Sequence, residues 1–164
     1  MKKALTEPEA LQKAAAYCSV AERCRYEVAV KLKAWEMSEA ASLRILNRLE
    51  QERYLDEARY CRAFVRDKWR FAKWGKVKIA QALAHKQLPP DAVADAIAEI
   101  DDREYTSLLK NLLSAKAKSI RSENDYERKG KLIRFALSRG FEMKDILRVL
   151  AIFIPFPYFC GLII

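Results

Sequence analysis

Residues 53–83 read RYLDEARYCRAFVRDKWRFAKWGKVKIAQAL. Placed on a helix that starts near Asp56, Arg59, Arg62, Arg66, Arg70 and Lys73 recur at steps of three, four, four and three residues, which makes one continuous basic stripe. The opposite side carries Tyr60, Cys61, Phe64, Val65 and Trp69, a face apolar enough to pack. Lys68, Lys76 and Lys78 add to the charge, and between residues 59 and 86 nine Lys or Arg stand against a single acid, Asp67. This segment therefore carries most of the chain's net charge of +9.

Working outward, 164 residues with 51% apolar content suffice for a real core, as one domain or as a few small stacked units. Glycine and proline are scarce, at 4 and 5 residues, while Ala, Leu, Lys, Arg and Glu dominate. The predicted fold class is all-α. A pI near 9.4 favours a polyanionic partner: nucleic acid, an acidic protein surface or an anionic membrane. Cys18, Cys24, Cys61 and Cys160 have no CxxC spacing, and His85 is the one histidine, so no metal site is predicted. There is no Gly-rich phosphate loop, and His85 has no Ser or Cys partner at an informative spacing. No catalytic residue or cofactor is assigned. The start, MKKALTEPEA, lacks the apolar run of a signal peptide, which points to the cytoplasm and reduced thiols.

Capping-box spacings at Thr6/Glu9 and Ser19/Glu22 predict helices over about 7–17 and 20–35. A third follows over 39–53. The fourth carries the stripe and is expected to end near Trp74 and Gly75, since glycine stops a helix most cheaply. A fifth runs to Lys86, a sixth starts at Pro89-Pro90-Asp91 and ends near Ile100, a seventh starts at Asp101, an eighth near Ser122 and a ninth after Phe141. The apolar positions repeat. With Met37, Leu88 and Phe141 as equivalent origins, the residues nine before are Val28, Ile79 and Leu132, and those five before are Leu32, Leu83 and Ala136. Those nine after are Leu46, Ile97 and Leu150, and those twelve after are Leu49, Ile100 and Phe153. The origins lie 51 (88 − 37) and 53 (141 − 88) residues apart, so three tandem three-helix units are predicted in an elongated, curved array. Their expected bounds are 1–53, 54–100 and 101–153, with an apolar tail at 154–164.

RYLDEARYCRAFV, WGKVKIAQAL and the FALSRGF turn, in that order on three tandem helical units, resemble the RecX family of bacterial regulatory proteins. The resemblance runs from about Ala10 to Leu150, and its most specific parts are Tyr54-Leu55-Asp56, Tyr60, Phe64-Val65, Gly75, Ile79, Leu83 and Arg139-Gly140-Phe141. It implies a non-enzymatic modulator of the recombinase RecA that binds along the RecA nucleoprotein filament and restrains its strand-exchange, ATPase and co-protease activities. The family commonly has a glycine before each origin. This chain keeps only Gly140, with Glu36 and Gln87 at the other two, so those turns must avoid a left-handed residue or accept strain of about 1 kcal/mol.

Arg59, Arg62, Arg66, Lys68, Arg70, Lys73, Lys76 and Lys78 are the candidate DNA- and RecA-binding residues. A face with almost no acids lacks the interspersed partners of an ordinary solvated helix. Trp69, Phe71 and Trp74 stand among these bases, either stacking on splayed bases of single-stranded DNA or packing against the fold. Asp56 is placed to cap the fourth helix. A second basic group, Lys116, Lys118 and Arg121 with Arg128, Lys129, Lys131 and Arg134, carries more acids among it. The rival class is a stand-alone helix-turn-helix DNA-binding regulator, which needs base-reading side chains at the start of a recognition helix; Glu39-Ala40-Ala41 and Asp91-Ala92-Val93 are poor base readers. The end, AIFIPFPYFCGLII, is shorter than the roughly 20 apolar residues of a membrane span and is broken by Pro155 and Pro157. It is open to reading as an extra packing arm, as an end unrelated to the family's usual C-terminus or, ranked last, as a membrane anchor. A monomeric protein is expected.

Overall fold

The computed structural model describes residues 5–153. The apolar tail 154–164, with Cys160, lies outside them. Among the described residues all regular structure is helical: α1 (Glu7–Val20), α2 (Arg25–Ala34), α3 (Glu39–Gln51), α4 (Glu57–Arg70), α5 (Lys76–His85), α6 (Pro90–Ala98), α7 (Asp102–Ser119), α8 (Asp125–Ser138) and α9 (Met143–Phe153). The caps are largely those the sequence predicts. Thr6 and Glu9 form a capping box on α1, the Asp56 carboxylate accepts the Arg59 N–H at 2.8 Å, and Asp101 accepts from Arg103 and Glu104 at 3.0 and 2.9 Å.

Two boundaries differ from expectation. The Ser19/Glu22 box does not form, because α1 continues to Val20 and the Ser19 hydroxyl donates to the Ala15 carbonyl inside that helix. The start of α2 is set instead by Glu27, which accepts the Cys24 N–H at 3.3 Å. Likewise α4 stops at Arg70, ahead of Gly75, and the left-handed residue after it is Lys73, at φ 57°.

The threefold repeat is written into the backbone. At each origin the N–H donates to the carbonyl five residues earlier: Met37 to Leu32 at 3.1 Å, Leu88 to Leu83 at 3.3 Å and Phe141 to Ala136 at 3.1 Å. The residue just before the origin donates three back and is left-handed, with φ of 61° at Glu36, 59° at Gln87 and 86° at Gly140. This is the Schellman closure of a helix end. Glu36 and Gln87 accept the strain. At nine and five residues before each origin the side chains Val28, Ile79, Leu132, Leu32, Leu83 and Ala136 are all buried.

The chain divides into two compact units. Among the described residues, one gathers 81–97 with 5–66, the other 67–80 with 98–153. In the first, α1, α2 and α3 enclose Ala10, Ala14, Val28, Leu32, Ile45 and Leu49. In the second, α7, α8 and α9 enclose Leu109, Leu113, Leu132, Ile146 and Val149, with the Tyr105 and Phe141 rings 5.3 Å apart.

Candidate nucleic-acid interface

The apolar side of α4 is buried at Tyr60, Cys61, Val65 and Trp69, which turns the alternate face outward. Arg59, Arg62, Arg66 and Arg70 follow one another by one turn along it, while Lys73 lies beyond the helix end. Their settings differ. Arg59 works inward: its Nε donates to Glu22 at 2.6 Å, and its Nη2 donates to the carbonyls of Arg53 and Tyr54 at 3.2 and 3.5 Å. Arg62 and Arg66 are exposed and pair with no carboxylate among the described residues.

In the second unit the cations gather round the α4–α5 turn. The ammonium groups of Lys68 and Lys78 lie 5.0 and 4.6 Å from the Trp74 ring centroid. Such contacts are worth about 0.5–1 kcal/mol at exposed sites. Lys73 donates to the Arg70 carbonyl at 2.5 Å, closing the helix end. Arg70 is 3.6 Å from Glu104, an exposed pair of little energetic weight. Lys76 is more committed: its ammonium bonds Asp102 at 3.0 Å, holding that carboxyl below its usual range, and its N–H donates to the Tyr105 hydroxyl at 2.9 Å. Burial pushes that phenol up to about 12. Trp69 is buried, Trp74 is half-buried and Phe71 is 79% exposed.

The turn is held by backbone contact. The Gly75 N–H donates to the Arg139 carbonyl at 2.7 Å and the Val77 N–H to the Gly140 carbonyl at 3.1 Å. A Cβ on Gly75 would stand 2.2 Å from the Gly140 carbonyl, and one on Gly140 would stand 2.2 Å from the Lys78 Cβ. Gly75 is thus required by close approach rather than by helix termination. The Arg139 guanidinium completes the brace by donating to the Ala72 carbonyl at 3.1 Å.

Sequence reading singled out Arg139 only as part of a turn, because a guanidinium 67 residues from its acceptor leaves no local signal. It missed Arg103, which sits between acids in the sequence yet joins Arg70 and Lys73 on the walls of an open groove of about 610 Å³ between the end of α4 and α7. The second basic group is partly structural. Arg128 donates to the Ala117 carbonyl, Lys131 to the Arg121 carbonyl, and Lys116 lies over the Phe135 ring. His85 is exposed beside the Tyr26 ring, and Asp101 is a helix cap. Among the described residues no three His, Cys, Asp or Glu are grouped to hold a metal, and no helix is long and apolar enough to cross a membrane. Cys18, Cys24 and Cys61 are free and buried, and burial raises each thiol, Cys61 to about 11.

Residues 56–97 match the family profile described as RecX, second three-helix domain, and residues 103–150 match RecX, third three-helix domain. Regulatory protein RecX of Prosthecochloris aestuarii is 31% identical over 143 residues, covering 87% of this chain and 91% of that protein. The chain belongs to the RecX family. Regulatory protein RecX of Acinetobacter baylyi is 30% identical over 129 residues, 79% of this chain and 78% of the relative. That of Lactobacillus johnsonii is 28% identical over 144 residues, 88% of this chain but 53% of the relative. The chain thus spans about half the length of the Lactobacillus RecX proteins it matches. In fold it is similar to the crystal structure of RecX from Lactobacillus salivarius, with a TM-score of 0.79 at 21% identity over 88% of this chain and 94% of that one. All eight candidate cations, Arg59 to Lys78, fall within the second RecX domain.

Proposed function

We propose that this RecX chain regulates the recombinase RecA without chemistry of its own. It binds the RecA nucleoprotein filament, seats in its helical groove, and restrains ATPase, strand-exchange and co-protease activity during homologous recombination, DNA repair and the SOS response. The protein acts as a monomer in the cytoplasm, and its basic segment contacts DNA or an acidic RecA surface. Family membership supports the regulatory role. The observation that carries the contact surface is that Arg62 and Arg66 stand exposed on α4 without an acid partner among the described residues. Unpaired guanidinium groups keep their full attraction for phosphate, and each phosphate neutralised adds about 0.9 to the slope of log affinity against log salt.

The test is a RecA strand-exchange and ATPase titration at two salt concentrations. Inhibition that weakens steeply with salt is expected. Unchanged RecA activities at protein concentrations that bind DNA would overturn the reading.

A further inference from the structure

The α4–α5 turn displays one large apolar ring that is left largely uncovered among the described residues. Phe71 is 79% exposed and makes no ring contact among the described residues, whereas Trp69, two residues earlier, is 6% exposed. Trp74 is already occupied by the ammonium groups of Lys68 and Lys78. The backbone under Phe71 is fixed: its own N–H donates to the Asp67 carbonyl at 3.0 Å, and the next carbonyl, of Ala72, receives the Arg139 guanidinium. In the sequence Lys68, Arg70, Lys73 and Lys78 stand on either side of Phe71 within eleven residues, with Asp67 the one acid in residues 59–86. A ring presented on a braced turn loses little freedom when a flat partner covers it, and the surrounding charge selects an anionic one.

We infer that Phe71 is a stacking platform for an unpaired base of single-stranded nucleic acid, with the flanking cations holding the adjoining phosphates. A ring on a turn reaches the π-face of a base only where the base is unstacked, so duplex offers it nothing but backbone. Phe71 therefore sets a preference for single strands over duplex. This deepens the reading of the basic segment as the nucleic-acid-facing surface and rests on it.

The experiment measures anisotropy of a labelled oligothymidylate and of a duplex of equal length at one salt concentration, with no RecA present. Its failure would thus leave RecA regulation standing. Phe71→Ala is expected to weaken single-strand binding about tenfold, within the range that base stacking spans, and to leave duplex affinity and its salt slope unchanged. Phe71→Trp should retain single-strand affinity, and Phe71→Leu, apolar but without a π-face, should not. Tyr126→Ala serves as a control: that ring is 89% exposed but neighbours Glu123, Asp125 and Glu127, and its loss should change neither affinity. Equal weakening of both substrates, no weakening, or full affinity in the Leu variant would overturn the inference. A separate RecA strand-exchange assay of the same variants adds a second check: loss of RecA inhibition by Phe71→Ala with single-strand binding intact would also overturn the inference, because it would place the ring against an acidic protein.

Discussion

Glu27 shows what a single side chain does in the first unit. Its carboxylate accepts from the Lys86 ammonium at 2.8 Å, the Tyr60 hydroxyl at 3.1 Å and the Cys24 N–H at 3.3 Å. Burial alone would raise its pKa, but Lys86 and the other donors outweigh that and hold it below the ordinary 4.5. A lowered folded-state pKa means that the stabilisation is present above the unfolded value and is lost as pH falls through the folded one. Glu27→Gln should therefore unfold more easily than the parent at pH 7, and the gap should close as the medium is made more acidic than about pH 4. Urea midpoints across pH would show this, and a gap independent of pH would contradict it. Glu27→Ala, which strands Tyr60 and Lys86, should cost about 1–3 kcal/mol. The sequence places Tyr60 on the apolar side of its helix but says nothing of Glu27, because a hydrogen bond spanning 33 residues has no local pattern.

Among the elements, the three matched turns form a natural comparison set. Glu36, Gln87 and Gly140 occupy the same left-handed position, and only the last does so without a Cβ. Glu36→Gly and Gln87→Gly should each relieve about 1 kcal/mol of strain, part of it returned through the greater freedom of the unfolded chain. A small rise in urea midpoint with unchanged slope is the expected result. Gly140→Ala and Gly75→Ala should go the other way by about 1–3 kcal/mol, since in both cases the added carbon meets atoms that cannot swing aside. The repeat was readable because apolar spacing survives when residue identity does not. The ends of α1 and α4 were not, because a capping pattern and a glycine each had another use: Ser19 bonds within its own helix, and Gly75 admits a neighbouring main chain.

For the molecule as a whole, charge reversal separates a working surface from a solvated one. Arg62→Glu with Arg66→Glu should weaken binding to any DNA by at least tenfold at moderate salt and reduce the salt slope by about 2, with little change in thermal stability. Reversal of Arg59 should instead destabilise the fold, because that side chain is spent on Glu22 and two carbonyls. The stripe was legible as a row of like charges. Which members face solvent was not, since the acids that claim Arg59 and Lys76 lie 37 and 26 residues away.

The meeting of Gly75 with Gly140 has a bearing on heredity and engineering. The chain repeats by thirds but packs by halves, with Asp67–Ala80 belonging to the body built from residues 98–153. A polypeptide ending at Ile100 would keep every cation from Arg59 to Lys78 and yet leave the Gly75 and Val77 N–H groups without acceptors. Such a fragment should bind DNA more weakly than its charge predicts. Duplicating, deleting or transplanting one repeat at its apparent seams would cut through a joint, so any lineage or designer lengthening this protein must move the seam as well as the piece.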